Sequence, residues 1–155
     1  MSDDDWRARC VDVYPQVYRA VIAMGASDAE AADAVQDAYE RALRQGRPLE
    51  RPEVWLFVVA VRRWRAARWR QRIFGPLSGV REMGPDPGHA EQLDLLAAVA
   101  ALPRRQREVL IARYVLGLSQ VEVAQQLHIA VGTVAATTSQ ATRSLRERLG
   151  ESYGR

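Results

Sequence analysis

The chain has 155 residues, of which 22 are Arg and 19 are acidic, and its formal net charge is +3. One cysteine, Cys10, and two histidines, His89 and His128, cannot form an internal disulfide, a zinc site or a Ser/His/Asp or Cys/His catalytic group, so we expect no metal, no cofactor and no enzymatic activity. No apolar run reaches transmembrane length and the first residues are acidic, unlike a signal peptide, so we expect a cytoplasmic protein that does not insert into a membrane.

Charge is distributed unevenly along the chain. Residues 1–72 contain 13 Arg and 11 acidic residues, residues 73–102 contain one Arg and four acidic residues, and residues 103–155 contain eight Arg and four acidic residues. Two basic segments therefore flank an acidic connector. A nucleic acid is the natural partner of a basic protein, although a net charge of +3 is too small to decide the matter.

The first basic segment predicts three helices. One covers roughly Asp5 to Met24, where apolar residues recur at helical spacing. The second begins after a capping box formed by Ser27 and Glu30 and ends at Gly46. The third begins at Pro52, because proline lacks an amide proton that the first turn of a helix does not need. The first half of this third helix is apolar, and six Arg follow in its second half.

A linker is predicted between the two basic segments. Residues 73–88 contain four Gly and three Pro, which disfavour regular structure. Sixteen extended residues span roughly 50 Å, which exceeds the roughly 35 Å of one turn of duplex DNA. We therefore expect two domains, 1–72 and 89–155, that can contact separate DNA sites. Any tethered two-domain regulator would have a similar linker.

The C-terminal segment contains the pattern of a helix-turn-helix. Ser119 and Glu122 form a second capping box at the start of a short helix, whose expected buried stripe comprises Val121, Val123, Ala124 and Leu127. His128 follows at the sharp turn, where one residue often adopts positive φ. A second helix starts at about Val131, with Val134, Ala141 and Leu145 facing inward. Such a second helix enters the DNA major groove, but two helices joined by a tight turn also occur in any small helical bundle.

The residues before this motif resemble the C-terminal domain of bacterial RNA polymerase sigma factors. The resemblance consists of a leucine-proline step, a basic Arg-Gln-Arg segment, an aliphatic helix and a Gly-Leu-Ser step into the helix-turn-helix. The matching positions are Leu102, Pro103, Arg105, Gln106, Arg107, Val109, Leu110, Arg113, Tyr114, Gly117, Leu118, Ser119, Val123, Ala124, Leu127, Ile129, Val131, Gly132, Thr133 and Val134.

The N-terminal half extends this resemblance. Residues 33–43 are similar to the sigma segment that docks on the coiled coil of the largest polymerase subunit, with matches at Asp33, Val35, Gln36, Asp37, Tyr39, Ala42 and Leu43. The resemblance implies that core RNA polymerase is contacted by four polar residues, Asp33, Gln36, Asp37 and Glu40. Without the resemblance, these polar groups would be interpreted as a solvated helix face.

Residues 54–61 are similar to the start of the sigma helix that recognises the minus-10 promoter element. The match weakens after Ala60, where the chain becomes unusually basic. The resemblance implies minus-10 DNA contacts from Arg62, Arg65, Arg68, Trp69 and Arg72, because guanidinium groups suit phosphates and tryptophan can stack on bases. Trp64 and Trp69 lie about 140° apart on a helix, so they cannot form one stacking platform, and we expect one of them to pack into the core.

The predicted recognition helix departs furthest from the family. Relatives carry basic residues after the Val-Gly-Thr-Val step, whereas residues 130–142 of this chain contain no charge. The residues implied to contact minus-35 DNA are Thr133, Thr137, Thr138, Gln140 and Arg143. Phosphate neutralisation supplies most nonspecific DNA affinity, so this helix is predicted to bind DNA weakly and to depend on hydrogen bonds to base edges.

The resemblance covers nearly all of residues 8–149 and implies an all-α protein with two small helical domains. It points to the extracytoplasmic-function group of sigma factors, whose members bind core RNA polymerase and promoter DNA, and it leaves open an anti-sigma factor as a further partner. Two alternatives remain. One is an interaction protein that has kept the sigma fold but lost promoter recognition, and the other is a helix-turn-helix regulator that acts without polymerase.

Overall fold

A computed structural model of the chain describes residues 2–74 and 90–153, with side chains described for 2–74 and 94–150. These residues are all-helical, as predicted, with no strand among them. The segments in chain order are α1 (Asp3–Asp12), α2 (Tyr14–Ala23), α3 (Asp28–Gln45), α4 (Pro52–Phe74), α5 (Ala90–Ala100), α6 (Arg104–Leu110), a π-helical segment (Ile111–Val115), α7 (Gln120–Leu127) and α8 (Val131–Tyr153).

The chain divides into two compact units. The first contains α1, α3, α4 and most of α2, and the second contains α5 to α8. Of the predicted linker 73–88, residues 75–88 lie outside the described residues, and residues 73 and 74 form the last turn of α4.

The single helix predicted from Asp5 to Met24 is two helices. Val13 leaves helical geometry between them, with φ −89° and ψ 0°. Pro15 explains the break, because it has no amide proton to donate to the carbonyl of Val11 and its ring crowds that carbonyl. The prediction was wrong because it followed apolar spacing and overlooked the proline two residues after the break.

The core of the first unit forms where α3 packs along α4. Its fully buried large side chains include Trp6, Val17, Val21, Val35 and Leu56. Trp6 was not predicted, since it lies among acidic residues in a helix with almost no amphipathic pattern. Burial of a tryptophan removes about 200 Å² of surface from water, so Trp6 anchors α1 to the rest of the unit.

The two ends of α3 and the start of α4 lie where the capping residues, the glycine and the proline in the sequence predicted them. The Ser27 hydroxyl accepts a hydrogen bond from the Glu30 amide at 3.1 Å, and the Glu30 carboxylate accepts one from the Ser27 amide at 3.0 Å, which confirms the capping box. Gly46 ends α3 in the left-handed conformation at φ 66°. Pro52 is the first residue of α4, also as predicted.

The second unit confirms the helix-turn-helix geometry. Ser119 and Glu122 form a capping box at the start of α7, and His128 ends that helix with φ 56° and ψ 46°. Val123 and Val134 are fully buried, one on each of the two packed helices. Val121 was predicted to be buried but is 53% exposed, because two residues correspond to about 200° around a helix and place it opposite Val123.

The turn before α7 is tightened by the π-helical segment. The Leu116 amide donates to the Ile111 carbonyl at 3.0 Å, and the Leu118 amide donates to the Ala112 carbonyl at 2.9 Å. The Arg113 guanidinium also donates to the Leu118 carbonyl at 3.0 Å. These bonds satisfy carbonyls that a regular helix end would leave free, and they fix the approach of the chain to α7.

Candidate docking and nucleic-acid surfaces

The four residues predicted to contact polymerase line one groove. Asp33, Gln36, Asp37 and Glu40 lie along α3, and the opposite wall comes from α4. The groove has a volume of about 350 Å³, and its α4 wall includes Arg63, Trp64, Ala67 and Gln71. The helical spacing of the four polar residues on α3 therefore gathers them at a concave surface.

Asp37 is the most enclosed of the four. Its side chain is 29% exposed, and its Oδ2 lies 3.5 Å from Arg63 Nε and 3.6 Å from Arg41 Nε. Arg63 belongs to α4, so this ion pair joins the two walls of the groove. Sequence reasoning did not identify Arg63, because ion pairs between helices depend on packing that spacing does not reveal. Glu40 and Gln36 are exposed, with a long contact of 3.5 Å from Gln36 Nε2 to Glu40 Oε1.

Glu30 connects the start of α3 to α4. Its Oε2 accepts a hydrogen bond from Trp64 Nε1 at 3.0 Å while its other oxygen caps the helix. Burial alone would raise the pKa of Glu30, and its hydrogen bonds with Ser27 and Trp64 act in the opposite direction. The nearby charge of Arg68 lowers the pKa of Glu30 further, so the net value lies below the usual range.

The two tryptophans of α4 divide as predicted. Trp64 is 7% exposed and packs in the core, whereas Trp69 is 61% exposed. The Arg68 guanidinium lies 5.4 Å from the centroid of the Trp64 ring, which supports a cation–π contact. The exposed ring is therefore Trp69, and it is the one available for stacking on a base.

The C-terminal half of α4 presents arginines beside exposed apolar groups. Arg62, Arg68, Arg70 and Arg72 are exposed, and Arg65 is half-buried. Ile73 and Phe74 are 51% and 77% exposed, and the sequence interpretation did not include them in this surface. The position of Ile73 four residues after Trp69 was a usable signal, because residues at i and i+4 share one helix face, whereas Phe74 at i+5 lies about 140° away from Trp69.

The recognition helix α8 presents fewer of the predicted residues than expected. Thr133, Gln140 and Arg143 are exposed. Thr137 is 8% exposed and lies between buried Val134 and Ala141 on the packed face, so the prediction that it contacts DNA is wrong. Its spacing of three from Val134 and four from Ala141 is the signal that could have revealed this.

The hydroxyls of two further threonines donate hydrogen bonds to backbone carbonyls within α8. Thr138 Oγ1 donates to the Val134 carbonyl at 2.7 Å, and Thr142 Oγ1 donates to the Thr138 carbonyl at 2.8 Å. Thr138 therefore keeps only acceptor capacity for a base, and it is half-buried. Ala136 and Ser139, which were not predicted as DNA contacts, are exposed on the face that includes Arg143.

Comparison with known proteins gives one family match, to part of the chain, and two structural likenesses over most of it. A family model described as Sigma-70, region 4 matches residues 92–145, which contain the whole helix-turn-helix up to the middle of α8. Over its two units the chain is similar to the sigma factor RpoE from Bartonella quintana, solved in complex with the anti-sigma factor NepR. The TM-score is 0.72 at 25% identity over 94% of this chain and 96% of that one. Residues 92–145 therefore match sigma-70 region 4, and the chain as a whole is similar in fold to a sigma factor.

A second solved structure shares the fold of this chain. It is CnrH in complex with the cytosolic domain of CnrY, with a TM-score of 0.69 at 19% identity over 97% of this chain and 90% of that one. No curated protein matches the chain in sequence. In the described parts of the chain, no helix is both long enough and apolar enough to cross a bilayer.

Proposed function

We propose that this chain is a sigma factor, which binds core RNA polymerase and directs promoter-specific initiation of transcription. The observation that carries the proposal is the likeness to a sigma factor over 94% of the chain, which includes both compact units. In this proposal residues 1–72 bind polymerase and the minus-10 element, residues 73–88 connect the domains, and residues 89–155 bind the minus-35 element.

Polymerase docking is assigned to the α3 side of the groove. Asp33, Gln36 and Glu40 are exposed, and they offer carboxylate and amide groups to a partner surface. Asp37 lies deeper and is already paired with Arg63 and Arg41. These features suit a partner that presents guanidinium or ammonium groups, which form charge-assisted hydrogen bonds with carboxylates.

Binding near the minus-10 element is assigned to the C-terminal half of α4. Arg62, Arg68 and Arg72 are exposed and can neutralise phosphates, and Arg65 is half-buried beside them. The exposed indole of Trp69 offers a surface on which an unpaired base can stack, a contact worth about 1–3 kcal/mol per base. Phosphate and base contacts on one helix suit a strand that is being separated.

Binding at the minus-35 element is assigned to α8, with a reduced set of contacts. Gln140 and Thr133 can form hydrogen bonds with base edges, and Arg143 can contact phosphate or guanine. Burial of Thr137 and the internal hydrogen bond of Thr138 leave few side chains for base recognition. The contribution of this helix to promoter affinity is therefore small. Stable promoter binding consequently requires both compact units to contact the DNA at the same time.

Co-elution with core enzyme tests the docking half of the proposal. Glu40→Arg reverses a charge at an exposed position and should abolish co-elution in gel filtration. The alternative substitution Asp37→Arg would place a third guanidinium beside Arg63 and Arg41, so its effect would combine loss of docking with local repulsion. Glu147→Arg, an exposed charge reversal on α8, is the matched control and should co-elute like wild type. Equal co-elution of Glu40→Arg and Glu147→Arg would refute the assigned surface.

One alternative function has a specific observation in its favour. The absence of charge from residues 130–142, together with the burial of Thr137, also fits an interaction protein that has kept the sigma fold without promoter recognition. Such a protein would co-elute with core enzyme but give no transcripts in a run-off assay. A helix-turn-helix regulator that acts without polymerase would bind DNA and fail to co-elute.

An anti-sigma protein is a further proposed partner. Two proteins similar in structure to this chain were each solved in complex with another protein: the sigma factor RpoE with the anti-sigma factor NepR, and CnrH with the cytosolic domain of CnrY. We expect a protein of this kind to bind the chain and to compete with core enzyme. To test this expectation, the tagged chain is co-expressed and purified with the protein encoded by the adjacent gene. Core enzyme is then added to see whether it displaces that protein from the chain.

A further inference from the structure

One ion pair links the helix proposed to bind polymerase to the helix proposed to bind DNA. Asp37 lies on α3 and Arg63 on α4, and Oδ2 of the first is 3.5 Å from Nε of the second. The Arg63 side chain is 44% exposed and the Asp37 side chain 29% exposed. Both side chains are therefore partly accessible to solvent at the groove, although the paired oxygen Oδ2 is covered.

The contacts around Asp37 are loose. A guanidinium–carboxylate hydrogen bond has an N···O distance of about 2.7–2.9 Å, whereas Arg63 and Arg41 lie at 3.5 and 3.6 Å. The Oδ2 atom is inaccessible to solvent, yet among the described residues no donor forms a hydrogen bond with it. A buried acceptor without a donor is unfavourable, so a cation that approached Asp37 with good geometry would be preferred over the present pair.

The rest of the groove favours an incoming cation. Four carboxylates line it, from Glu30, Asp33, Asp37 and Glu40, against one guanidinium, from Arg63. A partner cation that bound Asp37 would compete directly with Arg63 for the same oxygen. Arg63 would then lose its carboxylate partner and carry an uncompensated charge.

A released Arg63 would join the basic surface of α4. Arg63 and Arg70 are seven residues apart, which places them about 20° apart on the same side of the helix, and Arg62 is the preceding residue. We propose that Asp37 couples polymerase docking to DNA binding by exchanging Arg63 for a polymerase cation, which frees Arg63 to contact a DNA phosphate. This inference rests on the proposed docking function of α3.

The first arm of the test measures DNA binding by the free full-length chain. Asp37→Asn removes the charge that holds Arg63 and should tighten binding to a labelled duplex of arbitrary sequence. Asp33→Asn is the matched control, because it removes the same charge from an exposed position one turn earlier. We expect Asp37→Asn to bind up to about fivefold more tightly than Asp33→Asn, the range of an exposed ion pair. Its log–log salt slope should be steeper by about 0.9, the value of one phosphate contact.

Repeating both substitutions in an Arg63→Gln background completes the cycle. There the two asparagine variants should bind DNA equally, because no guanidinium remains to be released. Equal binding by Asp37→Asn and Asp33→Asn when Arg63 is present would overturn the inference. Thermal melts of every variant identify any loss of folding. If Asp37→Asn still bound DNA more tightly than Asp33→Asn in the Arg63→Gln background, that result would also overturn the inference.

The second arm measures binding to core enzyme. Arg63→Gln leaves Asp37 without its α4 partner, so it should bind core enzyme at least as tightly as wild type, while Asp37→Asn should bind more weakly. Weaker binding by Arg63→Gln than by Asp37→Asn would overturn the exchange. Failure of the wild-type chain to bind core enzyme would instead overturn the proposed function, and the DNA measurements distinguish that result from failure of the exchange alone.

Discussion

The weak charge of the recognition helix leads to a quantitative prediction. Ala136→Arg and Ser139→Arg would each add a guanidinium at an exposed position of α8, on the face that already carries Arg143. If this face lies in the major groove, both groups reach DNA phosphates. We expect the double variant of the full-length chain to bind duplex DNA more tightly and with a steeper dependence on salt.

The magnitude follows from the number of phosphate contacts. Each contact contributes about 0.9 to the log–log salt slope, so contacts from Arg143 and Arg146 account for about 1.8. A fourfold rise in salt then lowers the affinity supplied by this helix about 12-fold, and two further contacts increase that loss to about 150-fold. The double variant should therefore differ from wild type by about 1.8 in slope, whatever α4 contributes to both.

Fluorescence anisotropy with a labelled duplex at several salt concentrations measures this slope. Ala101→Arg makes the same kind of substitution at an exposed residue outside the helix-turn-helix, and compared with Ala136→Arg alone it reports the effect of net charge. Equal slopes for Ala136→Arg and Ala101→Arg would refute the assignment of this α8 face to DNA. So would a wild-type slope that already exceeded that of the double variant.

Five further substitutions have distinct expected outcomes. Thr137→Arg forces a charge onto the buried face of α8 and should lower thermal stability without strengthening DNA binding, which a melt and a titration would establish. Trp64→Ala should lower the free energy of unfolding, measured in urea, by about 3–5 kcal/mol, because the ring is buried. Trp69→Ala should lower it by less than about 0.5 kcal/mol, because the ring is exposed. In the polymerase complex Trp69→Ala should instead reduce the permanganate reactivity of promoter thymines. Folding lowers the pKa of Glu30, so its ionised form adds stability above the usual value of 4.5, and that stability is lost as the pH falls through the lower folded value. Glu30→Gln should therefore flatten the fall in melting temperature below about pH 5, and an unchanged profile would contradict this reasoning. His128→Val should destabilise the chain by about 1–2 kcal/mol because it forces a β-branched residue to φ 56°, and equal unfolding midpoints would disprove the strain.

The sequence predicted those features that depend on neighbouring residues. The capping boxes, the start of α4 at Pro52 and the left-handed His128 each follow from chemistry within about four residues. The break before α2 was equally local, and it was missed because apolar spacing was given more weight than Pro15. Such features require no knowledge of which helices pack together.

Features that depend on packing between helices were harder to predict. The burial of Thr137 is set by the position of α8 against its neighbours, although its spacing from Val134 and Ala141 was informative. The ion pair between Asp37 and Arg63 joins residues 26 positions apart, and no local pattern specifies it. Family resemblance pointed to α3 as the docking helix but gave no indication of the pairing between Asp37 and Arg63.

Run-off transcription tests the central claim most directly. Purified core RNA polymerase is supplied with fragments of the genome that encodes this chain, with and without the full-length protein, and the 5′ ends of the transcripts are mapped. We predict a limited set of new 5′ ends that require the chain and share sequence elements upstream at both the minus-10 and minus-35 positions. The absence of any chain-dependent 5′ end, with a chain that co-elutes with core enzyme, would contradict the claim that this protein directs initiation.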